Sequence, residues 1–324
     1  MSQTSQNNLL KLPILDLSIP LTSSALSSLL DACTDWGFFH VINHGVSDAL
    51  SDTLSSFARQ IFALSLDTKL KLGPSSSVRS YTPQFIASPF YEGLKVAGPD
   101  LFSSAQCSGN ALLGENCSEF SRAVQQYGDK MTELSRRIIE IILMSMGDGF
   151  ETKFYDTEFS KSYGYLRIIQ YSSPGPSEEE VEGLGKHTDM CCMTVLYSDD
   201  VSSLQVRSKA GQWMDIEPCE GSLVVNIGDM FEAWSNGRLR SSEHRVVLRK
   251  RRNRLCLAFF WSFEDDKVIF APDEVVGDGN RRLFRPFVCS DYVNFREFDD
   301  KERYDNVGKT VREFAGLGVQ ILDV

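Results

Sequence analysis

The strongest constraint on the fold is a run of short apolar segments that begins near residue 160. The segments expected to be strands are Gly164–Tyr171, Met193–Ser198, Ser203–Arg207, Gln212–Ile216, Ser222–Ile227, Arg245–Arg249, Arg254–Phe263 and Val268–Ala271. Turn residues such as Ala210-Gly211 and Glu220-Gly221 separate several of them. Many short strands at this spacing indicate a sandwich or barrel. A double-sheet jelly roll is one such fold, and it can hold a metal ion between its sheets.

The first half of the chain follows the helical period instead. Helices are expected from Thr22, a good N-cap, to about residue 34, and over about 47–61 and 118–146. In the last of these, apolar residues from Phe120 to Ile141 recur at intervals of three and four, and Gly147 ends the helix. Early strands are expected at 13–17 and 37–43.

These patterns predict a mainly β protein with α-helices. Its expected architecture is a double-stranded β-helix (jelly roll) core flanked by helices, with a mixed α/β N-terminal region. The expected division places a helical and mixed region at 1–159, packed on a core at 160–324 that includes a C-terminal cover. Residues 72–117 are expected to be loop, because prolines recur there. This loop is either a lid over a pocket or a segment anchored by its aromatic side chains.

Composition and charge exclude several classes of protein. The 324 residues are 42% apolar and carry a formal charge of −11, which disfavours binding to nucleic acid and to anionic membranes. The polar N-terminus does not resemble a secretory signal, and no apolar run approaches the ~20 residues that span a bilayer. The eight cysteines form no CxxC pair. We therefore expect a cytoplasmic protein with reduced cysteines, whose oligomeric state these features do not predict.

Two histidines and an aspartate form the candidate metal site. His187 and Asp189 are two positions apart, and His244 follows Asp189 by 55 positions. Alternate side chains of a strand point the same way, so His187 and Asp189 can face one cavity, and His244 can face it from another strand. Two imidazoles and one carboxylate suit a non-haem Fe(II) with open positions. The other histidines, His40 and His44, lie in a largely apolar segment and are expected to be structural.

Arg254 follows His244 by ten residues and begins the strand Arg254–Phe263. It shares one strand face with Cys256 and Phe260, whereas the opposite face is entirely apolar. The apolar face is expected to pack against helices and the Arg254 face to line the barrel interior. A buried guanidinium requires an anion. The anion is either a carboxylate co-substrate held in a bidentate manner or a structural Asp or Glu, and the spacing leaves both open.

Five segments spread over nearly the whole chain carry a family pattern. They are Trp36–Val46, Gly183–Asp189, Asn226–Asp229, Ser235–Gly237 and Glu243–Val247. In this order they resemble the plant 2-oxoglutarate- and Fe(II)-dependent dioxygenases, which include gibberellin oxidases and flavonoid oxidases. Isopenicillin N synthase and the ethylene-forming oxidase are relatives. The resemblance specifies the superfamily far better than it specifies a substrate.

The resemblance implies ligands for both iron and co-substrate. It implies that His187, Asp189 and His244 bind Fe(II). It also implies that Arg254 binds the distal carboxylate of 2-oxoglutarate, and that Tyr171 hydrogen-bonds the same molecule.

This chain departs from the family pattern at the co-substrate end. Cys256 replaces the usual serine two residues after the arginine, and Ile169 replaces an asparagine. Because a thiol is a weaker hydrogen-bond donor than a hydroxyl, binding of 2-oxoglutarate is expected to be altered here.

The implied reaction consumes O2 and 2-oxoglutarate, with ascorbate as a candidate reductant. It releases succinate and CO2 while a small plant hormone or specialised metabolite undergoes hydroxylation, desaturation or demethylation. Asp189 argues against halogenation, because related halogenases lack that carboxylate. Two alternatives stay open: an Fe(II) oxidase of the same fold that does not use 2-oxoglutarate, and a non-catalytic jelly-roll binding module.

The substrate pocket is expected to be apolar and to suit a small organic molecule. Its candidate residues are Phe260, Met190, Phe231, Trp234, Phe85 and Tyr91. The C-terminal stretch Val311–Leu322 is expected to form a further cover.

Overall fold

The computed structural model describes residues 9–72, 79–84, 88–114, 117–174, 180–199, 201–249, 253–297 and 309–318. Its helices are α1 (Ser23–Asp35), α2 (Asp48–Phe62), α3 (Leu66–Leu70), α4 (Leu101–Leu112), α5 (Cys117–Met146), α6 (Phe150–Phe154), α7 (Asp229–Trp234), α8 (Asp273–Val276), α9 (Cys289–Glu297) and α10 (Val311–Ala315). The three helices expected from the sequence correspond to α1, α2 and α5. As expected, the Thr22 hydroxyl caps α1 by accepting a hydrogen bond from the Ala25 N–H at 3.1 Å. In these ranges, no helix is long and apolar enough to cross a membrane.

The strands form two large sheets and one small one. Their bounds are β1 (Leu9–Leu10), β2 (Ile14–Asp16), β3 (Phe38–Ile42), β4 (Arg79–Thr82), β5 (Tyr91–Val96), β6 (Tyr163–Tyr171), β7 (Val181–His187), β8 (Met193–Ser198), β9 (Leu204–Arg207), β10 (Trp213–Ile216), β11 (Leu223–Ile227), β12 (His244–Leu248), β13 (Arg254–Ser262), β14 (Val268–Ile269) and β15 (Phe287–Val288). The large sheet has the order β2-β3-β11-β8-β13-β6-β5-β4, and the second has the order β1-β10-β9-β12-β7. The predicted mainly β jelly roll with flanking helices is confirmed. The large sheet takes strands from both sides of residue 160.

The two faces of β13 separate the helix-side core from the interior between the sheets. Leu257 and Phe259 belong to the main apolar core, together with buried residues of α5 such as Ile138. Cys256 instead joins a smaller cluster that includes Val246 of the opposite sheet. The faces of this strand therefore point as its alternating sequence predicts. The helices cover one side of the large sheet and leave its other side available for a site.

The expectation that residues 72–117 form a loop is wrong over much of their length. The segment contains β4, β5 and α4, and β5 pairs with β6 in register, with Tyr91 opposite Tyr171. Pro89 and Pro99 lie in the turns that precede β5 and α4. The Asp100 side chain caps α4 by accepting a hydrogen bond from the Ser103 N–H at 3.2 Å. Tyr91 accordingly lies in a strand and belongs neither to a lid nor to an anchored loop.

Two arginines near the C-terminus pair with buried carboxylates of α7. Arg296 of α9 lies 2.9 Å from Asp229, measured from Nη1 to Oδ2. Arg312 of α10 lies 2.5 Å from Glu232, measured from Nη2 to Oε1. Both carboxylates are almost completely buried. The pairs attach the two C-terminal helices to the helix that directly follows β11.

Gly37 allows α1 and β3 to approach the chain just before β12. Its φ is +66°, and a Cβ placed on it would lie 1.9 Å from the carbonyl oxygen of Arg240. The Arg240 N–H donates to the carbonyl of Cys33 at 2.9 Å, which holds the two segments together. Only glycine fits this close contact between backbones.

Replacing Gly37 with alanine is expected to destabilise the fold more than the same change at Gly45. Gly45 has a φ of +77°, but a Cβ added there would meet nothing within 4 Å, so Gly45→Ala should cost only the left-handed strain, about 1–2 kcal/mol. Gly37→Ala adds a backbone clash and should cost clearly more. The free energy of unfolding from urea titration measures both. Equal losses would contradict the proposed close approach.

The pH dependence of stability should report the burial of Glu232. Burial raises the pKa of Glu232 to about 7, against the opposing effect of Arg312 and with a further increase from Asp229. The native state therefore keeps the Glu232 proton up to about pH 7, whereas the unfolded chain releases it near the ordinary pKa of 4.5. Because of this difference, the contribution of Glu232 to stability declines as pH rises from 4.5 through about 7. Wild-type protein should therefore lose stability relative to Glu232→Gln over this window. The exposed Glu133→Gln should show no such trend, and a constant difference between wild type and Glu232→Gln would refute the assignment.

Candidate metal centre

Strand pairing brings the three predicted metal ligands together. His187 ends β7 and His244 begins β12, and the two residues are direct partners in the antiparallel register. Their ring centroids lie 4.2 Å apart. Oδ1 of Asp189 lies 3.9 Å from Nε2 of His187 and 3.8 Å from Nε2 of His244. One ligand atom from each residue falls within 4.8 Å of the others, so the three side chains could hold a single metal ion.

Main-chain carbonyls orient both imidazoles. Nδ1 of His187 lies 2.8 Å from the carbonyl oxygen of Gly185, and Nδ1 of His244 lies 3.1 Å from that of Ser242. A carbonyl can only accept, so each Nδ1 carries the proton and each Nε2 presents its lone pair to the centre. This arrangement is the usual way in which a protein orients metal-binding histidines.

The Asp189 carboxylate is held by the opposite sheet. Its Oδ2 accepts hydrogen bonds from Oγ1 of Thr194 in β8 at 2.5 Å and from Nδ2 of Asn226 in β11 at 2.8 Å. These donors fix the plane of the carboxylate and direct Oδ1 towards the two imidazoles. Thr194 was missed by sequence reasoning, although its strand parity could have identified it.

Electrostatics favour a neutral His187 beside an ionised Asp189. Burial, and after it the electrostatic effect of the neighbouring His244, lower the pKa of His187 to about 3. Burial acts to raise the pKa of Asp189, but the two histidines and the hydrogen bonds from Asn226 and Thr194 hold it below its ordinary value. Both groups are thus in the protonation states that bind metal near neutral pH.

A cavity of about 280 Å³ opens between the sheets beside these residues. Arg254 and Tyr171 line it, and they face each other in the register of β13 and β6. Both are buried, and the guanidinium carbon of Arg254 lies 5.1 Å from the centre of the Tyr171 ring. Burial raises the pKa of Tyr171, so its hydroxyl keeps its proton and can donate it in a hydrogen bond.

Cys256 lines the same cavity two residues after Arg254. Its thiol lies 3.5 Å from Oγ of Ser198 on β8, the strand next to β13. Ile169 also lines the cavity. The two departures from the family pattern therefore lie at the end of the cavity that contains Arg254.

The predicted substrate residues divide into two groups. Phe260, Met190 and Tyr91 line the cavity. Phe231 and Trp234 do not: they lie in α7, fully buried in the helix-side core, where Trp234 contacts Phe159 with ring centroids 4.9 Å apart. Proximity in sequence to the metal ligands misplaced them, because α7 turns away from the interior. Phe85 lies outside the described residues.

Tyr165, Arg167 and Arg296 are among the cavity residues that were not singled out from the sequence. Tyr165 stacks on Phe260, with centroids 5.0 Å apart and planes at 11°, and Arg167 lies about 6 Å from both rings. The strand parity of Tyr165 and Arg167 with Tyr171 was a usable signal. Arg296 also lines the cavity. It comes from α9, and no pattern in the sequence relates that helix to the ligands.

Comparison with protein families agrees with this geometry. Residues 163–262 match the 2OG-Fe(II) oxygenase superfamily, and residues 12–92 match the N-terminal region described as non-haem dioxygenase in morphine synthesis. The chain is 48% identical over 323 residues to the gibberellin 20-oxidase-like protein of Arabidopsis thaliana. That match covers 95% of this chain and 98% of that protein.

Two solved structures share the fold, and one of them contains 2OG and Fe. The dioxygenase for auxin oxidation from rice is 27% identical with a TM-score of 0.75, over 88% of this chain and 94% of that one. JOX2, crystallised with 2OG, Fe and JA, is 27% identical with a TM-score of 0.75, over 91% of this chain and 87% of that one. The chain therefore belongs to the 2OG-Fe(II) oxygenase superfamily, as a dioxygenase that uses Fe(II) and 2-oxoglutarate.

Proposed function

We propose that the protein oxidises a small plant hormone or specialised metabolite by hydroxylation, desaturation or demethylation, releasing succinate and CO2. The observation that carries this proposal is the cavity into which the candidate triad and Arg254 both open. Its lining combines a buried cation and a few polar groups with apolar side chains, as small-molecule sites do. We further propose that the enzyme acts in the cytoplasm, without nucleic acid or membrane partners, in keeping with a formal charge of −11.

The donor set of the triad fits Fe(II). Two imidazoles and one carboxylate on a single side leave positions open on the other, which is the facial arrangement of non-haem iron oxygenases. In our proposal His187, Asp189 and His244 hold the ion. When bound, iron would supply the redox chemistry that couples decarboxylation of 2-oxoglutarate to oxidation of the substrate. Thr194 and Asn226 keep the carboxylate in position throughout.

Arg254 is the proposed anchor for 2-oxoglutarate. Its guanidinium can bind a carboxylate in a bidentate manner. The Tyr171 hydroxyl can donate to the same carboxylate, and the Cys256 thiol is a weaker third donor. The surrounding apolar side chains, such as Val246 and Ile169, exclude water and strengthen the charge pairing.

The stacked pair of Tyr165 and Phe260 is the proposed wall for the substrate. Met190 also lines the cavity. Flat aromatic rings offer a large contact area with little loss of side-chain entropy, which suits a rigid organic molecule. Related proteins named for gibberellin and auxin oxidation guide the choice of compounds for a substrate screen.

His244→Ala should abolish Fe(II) binding and reduce succinate formation by at least about 100-fold. Loss of a residue that only hydrogen-bonds a metal ligand lowers activity by up to about 100-fold, and loss of the ligand itself should lower it at least as much. The matched control is His40→Ala. His40 is equally buried but lies away from the cavity, where its Nε2 donates to the carbonyl of Glu217 at 3.0 Å. This variant should keep its activity. Thermal unfolding confirms that both variants fold.

The assay measures succinate released with and without 2-oxoglutarate, across a panel of gibberellins, auxins, phenolics and alkaloids. Substrate oxidation that proceeds without 2-oxoglutarate would favour the alternative, an oxidase of the same fold. The binding-module alternative would be favoured by a different result. In that case a small organic ligand would bind equally well to wild type and to His187→Ala, and neither protein would bind Fe(II) or turn over.

Cys256→Ser should lower the KM for 2-oxoglutarate about fivefold. A hydroxyl in place of the thiol adds about 1 kcal/mol of hydrogen bonding to the bound carboxylate. The control is Cys33→Ser, which changes a buried cysteine of the helix-side core and should leave this KM unaltered. An unchanged or higher KM for Cys256→Ser would place the third donor elsewhere.

A further inference from the structure

Arg296 connects the C-terminal helix α9 to the segment that carries two of the candidate ligands. Its Nη2 donates to the main-chain carbonyl of Thr188 at 3.0 Å. Its Nη1 lies 3.2 Å from the Thr188 hydroxyl oxygen, 2.9 Å from Oδ2 of Asp229 and 3.0 Å from the Tyr292 hydroxyl oxygen. Thr188 is the residue between His187 and Asp189, so this guanidinium contacts the backbone of the candidate chelate directly.

Asp229 completes the attachment from the other side. Its main-chain N–H donates to the carbonyl of Asp189 at 2.8 Å, and its carboxylate accepts from the Thr188 hydroxyl at 2.9 Å. The carbonyls of Thr188 and Asp189 are therefore both held. Tyr292 of α9 also donates to the Asp229 carboxylate. Arginine, aspartate and threonine form one connected network around the peptide that joins the two ligands.

The charges of this network are buried and depend on each other. Asp229 is 1% exposed, and the side chain of Arg296 is 10% exposed. Removing one member of such a pair leaves the other charged and desolvated, which is strongly destabilising. A buried ion pair is weak evidence for stability in itself, but it can enforce one geometry where apolar contacts would tolerate several.

The second arginine–carboxylate pair shows that helix attachment does not require contact with the chelate. Arg312 pairs with Glu232 one turn further along α7 and attaches α10 there. Among its contacts within the described residues, none reaches His187, Thr188 or Asp189. Both pairs join an arginine to a buried carboxylate of α7. They differ in one respect: only the Arg296 pair also contacts the backbone between the candidate ligands.

We propose that Arg296 is a positioning residue for the iron centre: from α9 it holds the peptide between His187 and Asp189 in chelating geometry. This inference rests on the proposed function. The side chain does not reach a ligand atom, and it acts through Thr188 and Asp229. Since displacements of about 1 Å can cost 100-fold in rate, loss of this contact should weaken iron binding and slow turnover, while the pocket for 2-oxoglutarate stays intact.

The test compares Arg296→Gln with Arg312→Gln. Both variants should lower the thermal unfolding midpoint, because each leaves a buried carboxylate without its arginine. Only Arg296→Gln should weaken Fe(II) affinity, by at least about tenfold, as other losses around metal ligands do. Titration of the metal-free protein with Fe(II) in the presence of 2-oxoglutarate, followed by absorbance of the complex, measures this affinity. Steady-state kinetics should then show a lower kcat for succinate with the KM for 2-oxoglutarate within about twofold.

A double variant separates positioning from folding. Arg296→Met with Asp229→Asn removes both charges and keeps an amide that can still meet the Thr188 hydroxyl, so stability should largely recover. Weak Fe(II) binding should persist in it. Equal Fe(II) affinity in Arg296→Gln and Arg312→Gln, or wild-type affinity in the double variant, would overturn the inference while the proposed function stands. Wild-type protein that neither binds Fe(II) nor forms succinate would overturn both.

Discussion

The candidate site depends on how one buried carboxylate is held. Asp189 follows a strand of the five-stranded sheet, yet its Oδ2 accepts hydrogen bonds from Thr194 and Asn226 of the eight-stranded sheet. Its Oδ1 is directed at two imidazoles whose own orientation is set by main-chain carbonyls. The site therefore forms only when both sheets are in register. The hydrogen bonds of the Asp189 carboxylate also connect the two sheets.

The rest of the architecture keeps the space between the sheets available. Helix α5 and its neighbours bury the outer face of β13, so the inner face does not have to supply the main apolar core. Arg254 and Phe260 lie six residues apart on that inner face, which corresponds to about 20 Å along a strand. A cationic end and an aromatic end can thus share one cavity without competing for the same position. The C-terminal helices close the structure through charged contacts on α7.

Much of this was predictable, for identifiable reasons. Helices α1, α2 and α5 follow from apolar spacing and caps, and the strand faces of β13 follow from alternation. The triad was predictable because His-x-Asp at a strand end and a distant histidine at a strand start can face one cavity. The prediction of loop at 72–117 was wrong because prolines between short elements look the same as prolines within a loop. Phe231 and Trp234 were assigned to the pocket from sequence proximity, which says nothing about the direction that α7 takes.

The sequence by itself determined the periodicities, the candidate metal-binding side chains and the family, because these are properties of residue type and spacing. It also marked Cys256 and Ile169 as departures at the co-substrate end. Only the tertiary structure decided which distant residues meet: that Thr194 and Asn226 hold Asp189, that Tyr165 stacks on Phe260, and that Arg296 reaches Thr188. The physical reason is that such contacts depend on sheet register and helix docking. Both are set by packing across the whole chain, and no local pattern records them.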